Sequence, residues 1–195
     1  MTRTNTLSKH HWLLFALPCL LMLATRMEHF GSAVRLPDAS LAAFFFAGFL
    51  LRENWRISAF PVLCILAVVI DYWAITMRGV SSFCVTPAYG FLLPTYFTLW
   101  WAGRYSAQLS LSHLAGWLKL ALAAGLAVSL AFAISNGSFY LFSGYITAPN
   151  VIDYMAGVAR YYPRYAFYGI SYIALSMVLW TVFWPLTSRR LVDHG

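Results

Sequence analysis

The chain has 195 residues, of which 61% are hydrophobic and only 10% are charged. Soluble domains carry roughly a quarter of their residues as charged side chains, so the composition excludes an ordinary soluble protein and indicates a membrane protein. The apolar segments described next predict that it is all-α. The net charge of +7 does not indicate a nucleic-acid partner, because the basic residues are scattered beside apolar segments and form no stripe. Without a linker or internal repeat, the sequence predicts a single integral membrane domain over residues 1–195.

Six apolar segments follow one another along the chain and predict six transmembrane helices. They cover residues 12–24, 39–51, 57–70, 87–102, 114–134 and 165–186. Only the last two reach the roughly 20 residues that a full spanning helix needs. Either interfacial residues extend the four shorter segments, or these are broken helices that shelter inside the bundle.

The distribution of basic residues predicts the orientation. A cytoplasmic N-terminus divides the 13 Lys and Arg residues into eight on the inner side and five on the outer side, which is the bias that membrane insertion favours. Both termini are then cytoplasmic, and the outer connections are residues 25–38, 71–86 and 135–164. These are longer than the inner connections, and loops carry function more often than the scaffold does. We therefore expect the functional surface to face outward, with residues 135–149 as a cap over it.

Cys84 is the first candidate on that surface. Cys19 and Cys64 lie inside apolar runs, whereas Cys84 lies in a polar stretch between two segments. An unpaired thiol outside the membrane is open to oxidation, so its presence there indicates use. The alternative is a passive loop cysteine that behaves as a small hydrophobic residue.

Asp71 is the second candidate, because it ends the apolar run of residues 62–70. It is either a solvated interfacial acid or a deeper acid with a function. The sequence contains no Walker A loop that would bind ATP, and no His-x-x-x-His or Cys-x-x-Cys pair that would indicate zinc or a redox dithiol.

Aromatic and basic residues near the last segment are further candidates. The spacing of Tyr165, Tyr168 and Tyr172 places them on one helix face, which is either an aromatic wall for a flat ligand or an interfacial belt. Arg160 and Arg164, four residues apart, either hold anionic or amide groups of a ligand or anchor to lipid headgroups.

Three parts of the chain carry a resemblance to a known family. They are the loop Val80-Ser-Ser-Phe-Cys-Val-Thr-Pro-Ala-Tyr89, the preceding Asp71-Tyr-Trp73, and the arginine and tyrosine run before the last segment. Together they resemble BtuM, a family of often solitary vitamin B12-specific S-components of energy-coupling-factor transporters. The resemblance implies a six-helix S-component-like bundle in the bacterial cytoplasmic membrane, with an extracytoplasmic site that binds cobalamin for uptake.

The resemblance also implies roles for individual residues. Cys84 would be an axial cobalt ligand and would promote removal of an upper ligand such as cyanide, which makes it the one catalytic and metal-binding residue. The implied cobalamin-binding set is Cys84, Asp71, Tyr89, Arg160, Tyr165 and Tyr168. The ligating form is the thiolate, so either the pocket or the metal has to lower the thiol pKa.

The chain departs from this family in one feature, and two other functions fit the sequence. S-components that share an energising ATPase module usually carry Ala-x-x-x-Ala in the first helix, whereas this chain has Ala43-Phe-Phe-Phe-Ala47 in the second segment. Solitary function is therefore expected, although use of such a module stays open. The alternatives are a membrane-bound thiol enzyme acting on a lipid or quinone, which needs a second catalytic His or Cys near Cys84, and a non-catalytic assembly subunit.

Overall fold

A computed structural model describes residues 15–26, 37–51 and 53–192, with side chains described except at 53–58 and 183–192. Within these ranges the chain forms six α-helices and no strand, which confirms the all-α fold class. Two 3-10 turns, Ser82–Cys84 and Pro87–Phe91, lie between the third and fourth helices. The helices are α1 (Phe15–Thr25), α2 (Ser40–Leu50), α3 (Glu53–Arg78), α4 (Leu92–Ser106), α5 (Leu114–Phe142) and α6 (Val151–Val192).

Three of these helices are long and apolar enough to cross a membrane. The qualifying stretches are Ala59–Arg78 of α3, Leu114–Phe142 of α5 and Val151–Val182 of α6. The described part of α1, α2 and α4 are shorter than a spanning helix needs. The membrane class is therefore supported by three spans, and the prediction of six spanning helices is met only in the number of helices.

The short helix α2 lies in the centre of the bundle. Residues 42–48 are all buried, and a helix that is apolar on every side is suited to a bundle interior. The expectation that a short segment shelters inside the bundle is thus correct for α2. The small residues Ala43 and Ala47 are 0% exposed, so this Ala-x-x-x-Ala pair packs inside the chain and offers no face to a partner.

Two glycines set the close packing of α2 against α4. A Cβ atom built on Gly48 would collide with the carbonyl oxygen of Trp100, and one built on Gly103 would collide with that of Phe45. Helix backbones in membranes approach closely where small residues remove the intervening side chain. The tight α2–α4 contact therefore requires glycine at both positions.

The predicted outer connection 135–164 is wrong over most of its length. Residues 135–142 belong to α5 and residues 151–164 to α6, so only residues 143–150 are not helical. The glycines and aromatic residues of this stretch are a composition typical of loops, but here they pack α5 against α6. Gly137 lies beside the Tyr154 hydroxyl, and the rings of Tyr140 and Tyr154 lie 5.1 Å apart.

The predicted connection 71–86 also begins too early. Helix α3 continues through Asp71 to Arg78. The prediction ended the helix too early because hydropathy marks only the apolar part of a segment, whereas the hydrogen-bonded helix runs further. Gly79 follows with φ of 66°, a left-handed conformation that commonly ends helices and that glycine adopts without strain. We call the end of the bundle that carries residues 79–86 the Cys84 end, and the other the opposite end.

Helices α5 and α6 extend past the start of α2 at the Cys84 end. A Cβ on Gly169 would lie 3.1 Å from Leu41 and 3.4 Å from Val128, and the Tyr172 hydroxyl donates to the Pro37 carbonyl at 3.0 Å. At 1.5 Å per residue, the part of α6 from its start at Val151 to Gly169 is about 25 Å long, and the part of α5 from Val128 to its end at Phe142 is about 20 Å long. Both parts extend past the start of α2. These parts form a helical hairpin whose foot lies level with the start of α2.

We predict that Gly103→Ala and Gly48→Ala each lower stability by about 1 to 3 kcal/mol, because the added methyl group forces α2 and α4 apart. The matched control is Gly125→Ala, where an added Cβ meets nothing within 4 Å and alanine is the better helix former. Thermal unfolding of the purified protein in detergent measures both effects. Equal melting temperatures for Gly103→Ala and Gly125→Ala would contradict the close contact.

Candidate functional site

Arg26 is the centre of a buried polar network at the foot of the hairpin. Its side chain is only 3% exposed, and it binds Asp71 of α3 through two parallel hydrogen bonds. Nε donates to Oδ1 at 2.8 Å and Nη2 donates to Oδ2 at 2.7 Å. A bidentate pair of this kind is the strongest geometry that arginine and a carboxylate form. It joins the end of α1 to α3.

The remaining arm of the guanidinium joins α1 to α2 and α4. Nη1 lies 3.2 Å from Asp38 Oδ2, 2.9 Å from Ser40 Oγ and 2.6 Å from the Tyr96 hydroxyl. Asp38 in turn accepts hydrogen bonds from the Ser40 backbone amide and hydroxyl at 2.9 and 2.6 Å. Burying a charge is costly unless it is paired and hydrogen-bonded, and this set of partners meets that condition.

Asp71 connects the network to the loop that carries Cys84. The Tyr89 hydroxyl donates to Asp71 Oδ2 at 2.6 Å, and Asp71 is only 4% exposed. The interpretation of Asp71 as a solvated interfacial acid is therefore wrong: the acid is buried and paired, and its role toward a ligand stays a prediction. The structure thus brings together two of the predicted site residues, Asp71 and Tyr89.

Cys84 lies on the same end of the bundle, exposed in the 3-10 turn Ser82–Cys84. The ring of the preceding Phe83 stacks on Tyr145, with centroids 4.5 Å apart and planes 13° apart, and lies 5.4 Å from Phe139. These contacts hold the Cys84 turn against the connection between α5 and α6. The thiol is therefore presented outward from an anchored turn.

The electrostatics of Cys84 favour the neutral thiol. Although part of its side chain is exposed, desolvation on the protein side raises the thiol pKa above 9.0, the Asp71 carboxylate raises it further, and the Arg26 guanidinium opposes the rise. The sequence left two ways to lower the thiol pKa, the protein pocket or a bound metal. The pocket does not lower it. A bound metal is the remaining route.

The other predicted site residues lie along α6. Tyr165 is half-buried and packs against the core, with its ring 5.2 Å from that of Phe132. Arg160 is exposed, with its guanidinium 5.5 Å from the Tyr161 ring. Tyr168 is half-buried beneath the Arg164 guanidinium at 5.7 Å. Their described contacts are thus with neighbours on α5 and α6, and their roles toward a ligand stay predictions.

Sequence reasoning missed the residues that hold Asp71 in place. Arg26 and Asp38 lie in a predicted outer connection, and Ser40 and Tyr96 lie in predicted apolar segments. One signal is present in the sequence: the charged residues nearest to the predicted outer ends of the first three segments are Arg26, Asp38 and Asp71, which differ in sign. Opposite charges at neighbouring helix ends indicate an ion pair.

No protein-family model matches the sequence, and no curated protein matches it. The resemblance of the residues around Cys84 to the BtuM family therefore stays a prediction.

We predict that Arg26→Gln lowers stability by about 3 to 5 kcal/mol, because it leaves the Asp71 charge buried without its guanidinium partner. Adding Asp71→Asn to this variant removes that charge and is expected to recover part of the loss. The control Arg160→Gln alters an exposed arginine and is expected to change stability by less than about 0.5 kcal/mol. Unfolding in detergent measures all three, and a double variant less stable than Arg26→Gln alone would argue against the pairing.

Proposed function

We propose that this chain binds cobalamin at the Cys84 end of the bundle and serves its uptake across the bacterial cytoplasmic membrane. In this proposal the Cys84 Sγ atom is an axial ligand of cobalt, both termini are cytoplasmic and the Cys84 end faces outward. The observation that carries it is an exposed thiol, anchored by Phe83 and Tyr145, beside the buried Arg26–Asp71 pair. The loop resemblance supplies the identity of the ligand.

The donor set of the described residues favours a metal that brings its own ligands. No group of three or more His, Cys, Asp or Glu among them is placed to hold a metal ion. A bare ion needs several protein donors, whereas cobalt in a corrin ring already has four equatorial nitrogens and accepts one soft axial donor. A single thiol is sufficient for cobalamin and insufficient for a free cation.

Asp71 and Tyr89 supply a positioned polar group next to the thiol. The Tyr89 proton is committed to Asp71, so its hydroxyl oxygen is left as an acceptor for the amide N–H groups at a corrin edge. Arg26 holds the carboxylate from the other side. The proposed cobalamin-binding set is therefore Cys84 and Tyr89 supported by Asp71, with Arg160, Tyr165 and Tyr168 along α6.

Removal of cyanide from cyanocobalamin follows as a ligand exchange at this thiol. The sulfur–cobalt bond forms as the cobalt–cyanide bond breaks, and cyanide leaves with the bonding electron pair. The Cys84 proton leaves with it as hydrogen cyanide, so cobalt keeps its oxidation state and no external reductant is required. The neutral resting thiol described above supplies that proton.

We predict that the purified protein, mixed with cyanocobalamin, shows a thiolate-type shift of the cobalamin absorption spectrum with about one cobalt per chain. Cys84→Ser is expected to abolish the shift, because a serine hydroxyl is a hard and weak donor. Cys19→Ser and Cys64→Ser, which alter the two cysteines inside helices, are the controls and keep it. A shift that persists in Cys84→Ser removes the assignment of Cys84, and a wild-type protein that binds no cobalamin removes the function.

We predict that binding of aquocobalamin tightens as pH rises. The thiol pKa lies above its usual value of 9.0, so in neutral solution each binding event releases the Cys84 proton while the displaced water leaves uncharged. Affinity is then expected to rise about tenfold per pH unit from about pH 5.5 to about pH 7. Absorption titrations at several pH values measure the slope, and Cys84→Ala is expected to lack it. A wild-type affinity independent of pH would rule out coordination by the thiolate.

A further inference from the structure

An apolar groove runs between α4 and α5 on the outside of the bundle. It has a volume of about 460 Å³ and is lined by Phe97, Thr98, Trp101, Ala102, Ala123, Leu126, Ala127 and Leu130. The one hydroxyl in the lining, that of Thr98, donates to the Thr95 carbonyl at 2.6 Å. The groove therefore offers its occupant hydrocarbon contacts alone.

The groove faces the surroundings of the bundle. Trp101 is 56% exposed, Leu126 63% and Leu130 52%, and α5 is one of the three helices able to cross a membrane. Along α5 the lining extends from Ala123 to Leu130, about 10 Å at 1.5 Å per residue. This length lies within one leaflet of a hydrocarbon core that is about 30 Å thick.

Two cations lie just beyond one end of the groove. Arg104 follows Trp101 by three residues on α4, and Lys119 precedes Ala123 by four residues on α5, so both lie on the helix faces that form the groove. The Arg104 guanidinium is 5.6 Å from the Trp101 ring and 5.1 Å from the Trp100 ring. An apolar slot that ends in aromatic rings and cations is complementary to a lipid with a negative headgroup.

The charge of these two cations is not neutralised by any carboxylate whose side chain is described. The two ion pairs described between side chains, Arg26–Asp38 and Arg26–Asp71, lie at the Cys84 end. We propose that the groove holds one acyl chain of an anionic phospholipid of the surrounding bilayer, with the phosphate against Arg104 and Lys119. The groove runs from the level of the Arg26 network toward the opposite end of the bundle, where the two cations lie, and the proposal is independent of the cobalamin proposal.

The test compares two lipids that differ only in headgroup charge. The purified full chain is titrated with phosphatidylglycerol or with phosphatidylcholine of the same acyl chains, and bound lipid is counted by native mass spectrometry. We expect tighter binding of phosphatidylglycerol, with Arg104→Gln and Lys119→Gln each lowering its affinity about fivefold and leaving that of phosphatidylcholine unaltered. Lys119 is exposed, so its variant keeps the test valid even where Arg104→Gln impairs folding.

Two further variants separate a built site from general attraction. Arg160→Gln and Arg164→Gln remove exposed cations at the Cys84 end and are expected to leave phosphatidylglycerol affinity unaltered, whereas Ala123→Phe fills the groove and lowers the affinity for both lipids. The proposal is overturned if Arg104→Gln/Lys119→Gln binds phosphatidylglycerol as the wild type does, or if the Arg160 and Arg164 variants weaken it equally. Cross-links between groove residues of two copies would assign the groove to self-association and overturn it as well.

Discussion

The bidentate pair between Arg26 and Asp71 holds the Cys84 end of the molecule together. Its guanidinium is at the end of α1 and its carboxylate is in α3, while the remaining nitrogen reaches Ser40 in α2 and Tyr96 in α4. Between helices inside a membrane the hydrophobic effect contributes little, so close packing and polar contacts decide how the helices are placed. A buried guanidinium with partners on three other helices has all its hydrogen bonds in only one arrangement of these four helices.

The same pair determines the surroundings of Cys84. A carboxylate close to the thiol disfavours the thiolate, and the paired guanidinium offsets part of that effect. The resting side chain is therefore a neutral thiol, which is a weak nucleophile and resists oxidation better than a thiolate does. This explains how a lone exposed cysteine can persist as a free thiol.

The two ends of the bundle have different chemistry because of how α4 is packed. Its Cys84 end contributes Tyr96 to the ion-pair network, and its last turn is held against α2 by Gly103. This contact turns one face of α4 inward and leaves Phe97 and Trp101, 45% and 56% exposed, on the outside. The polar network and the exposed apolar groove are thus consequences of one helix orientation.

The sequence alone was sufficient for the membrane class, the all-α fold, the number of helices over the described residues and the placement of Cys84 and Asp71 at one end, because hydropathy acts locally and successive segments alternate in direction. It was insufficient for the ends of α3, α5 and α6. Hydropathy follows contact with lipid, whereas a helix continues as long as its backbone hydrogen bonds and its packing allow. Only the tertiary structure decided that Asp71 is buried and that Arg26 is its partner, since that contact joins residues 45 positions apart and depends on how α1 to α4 pack together.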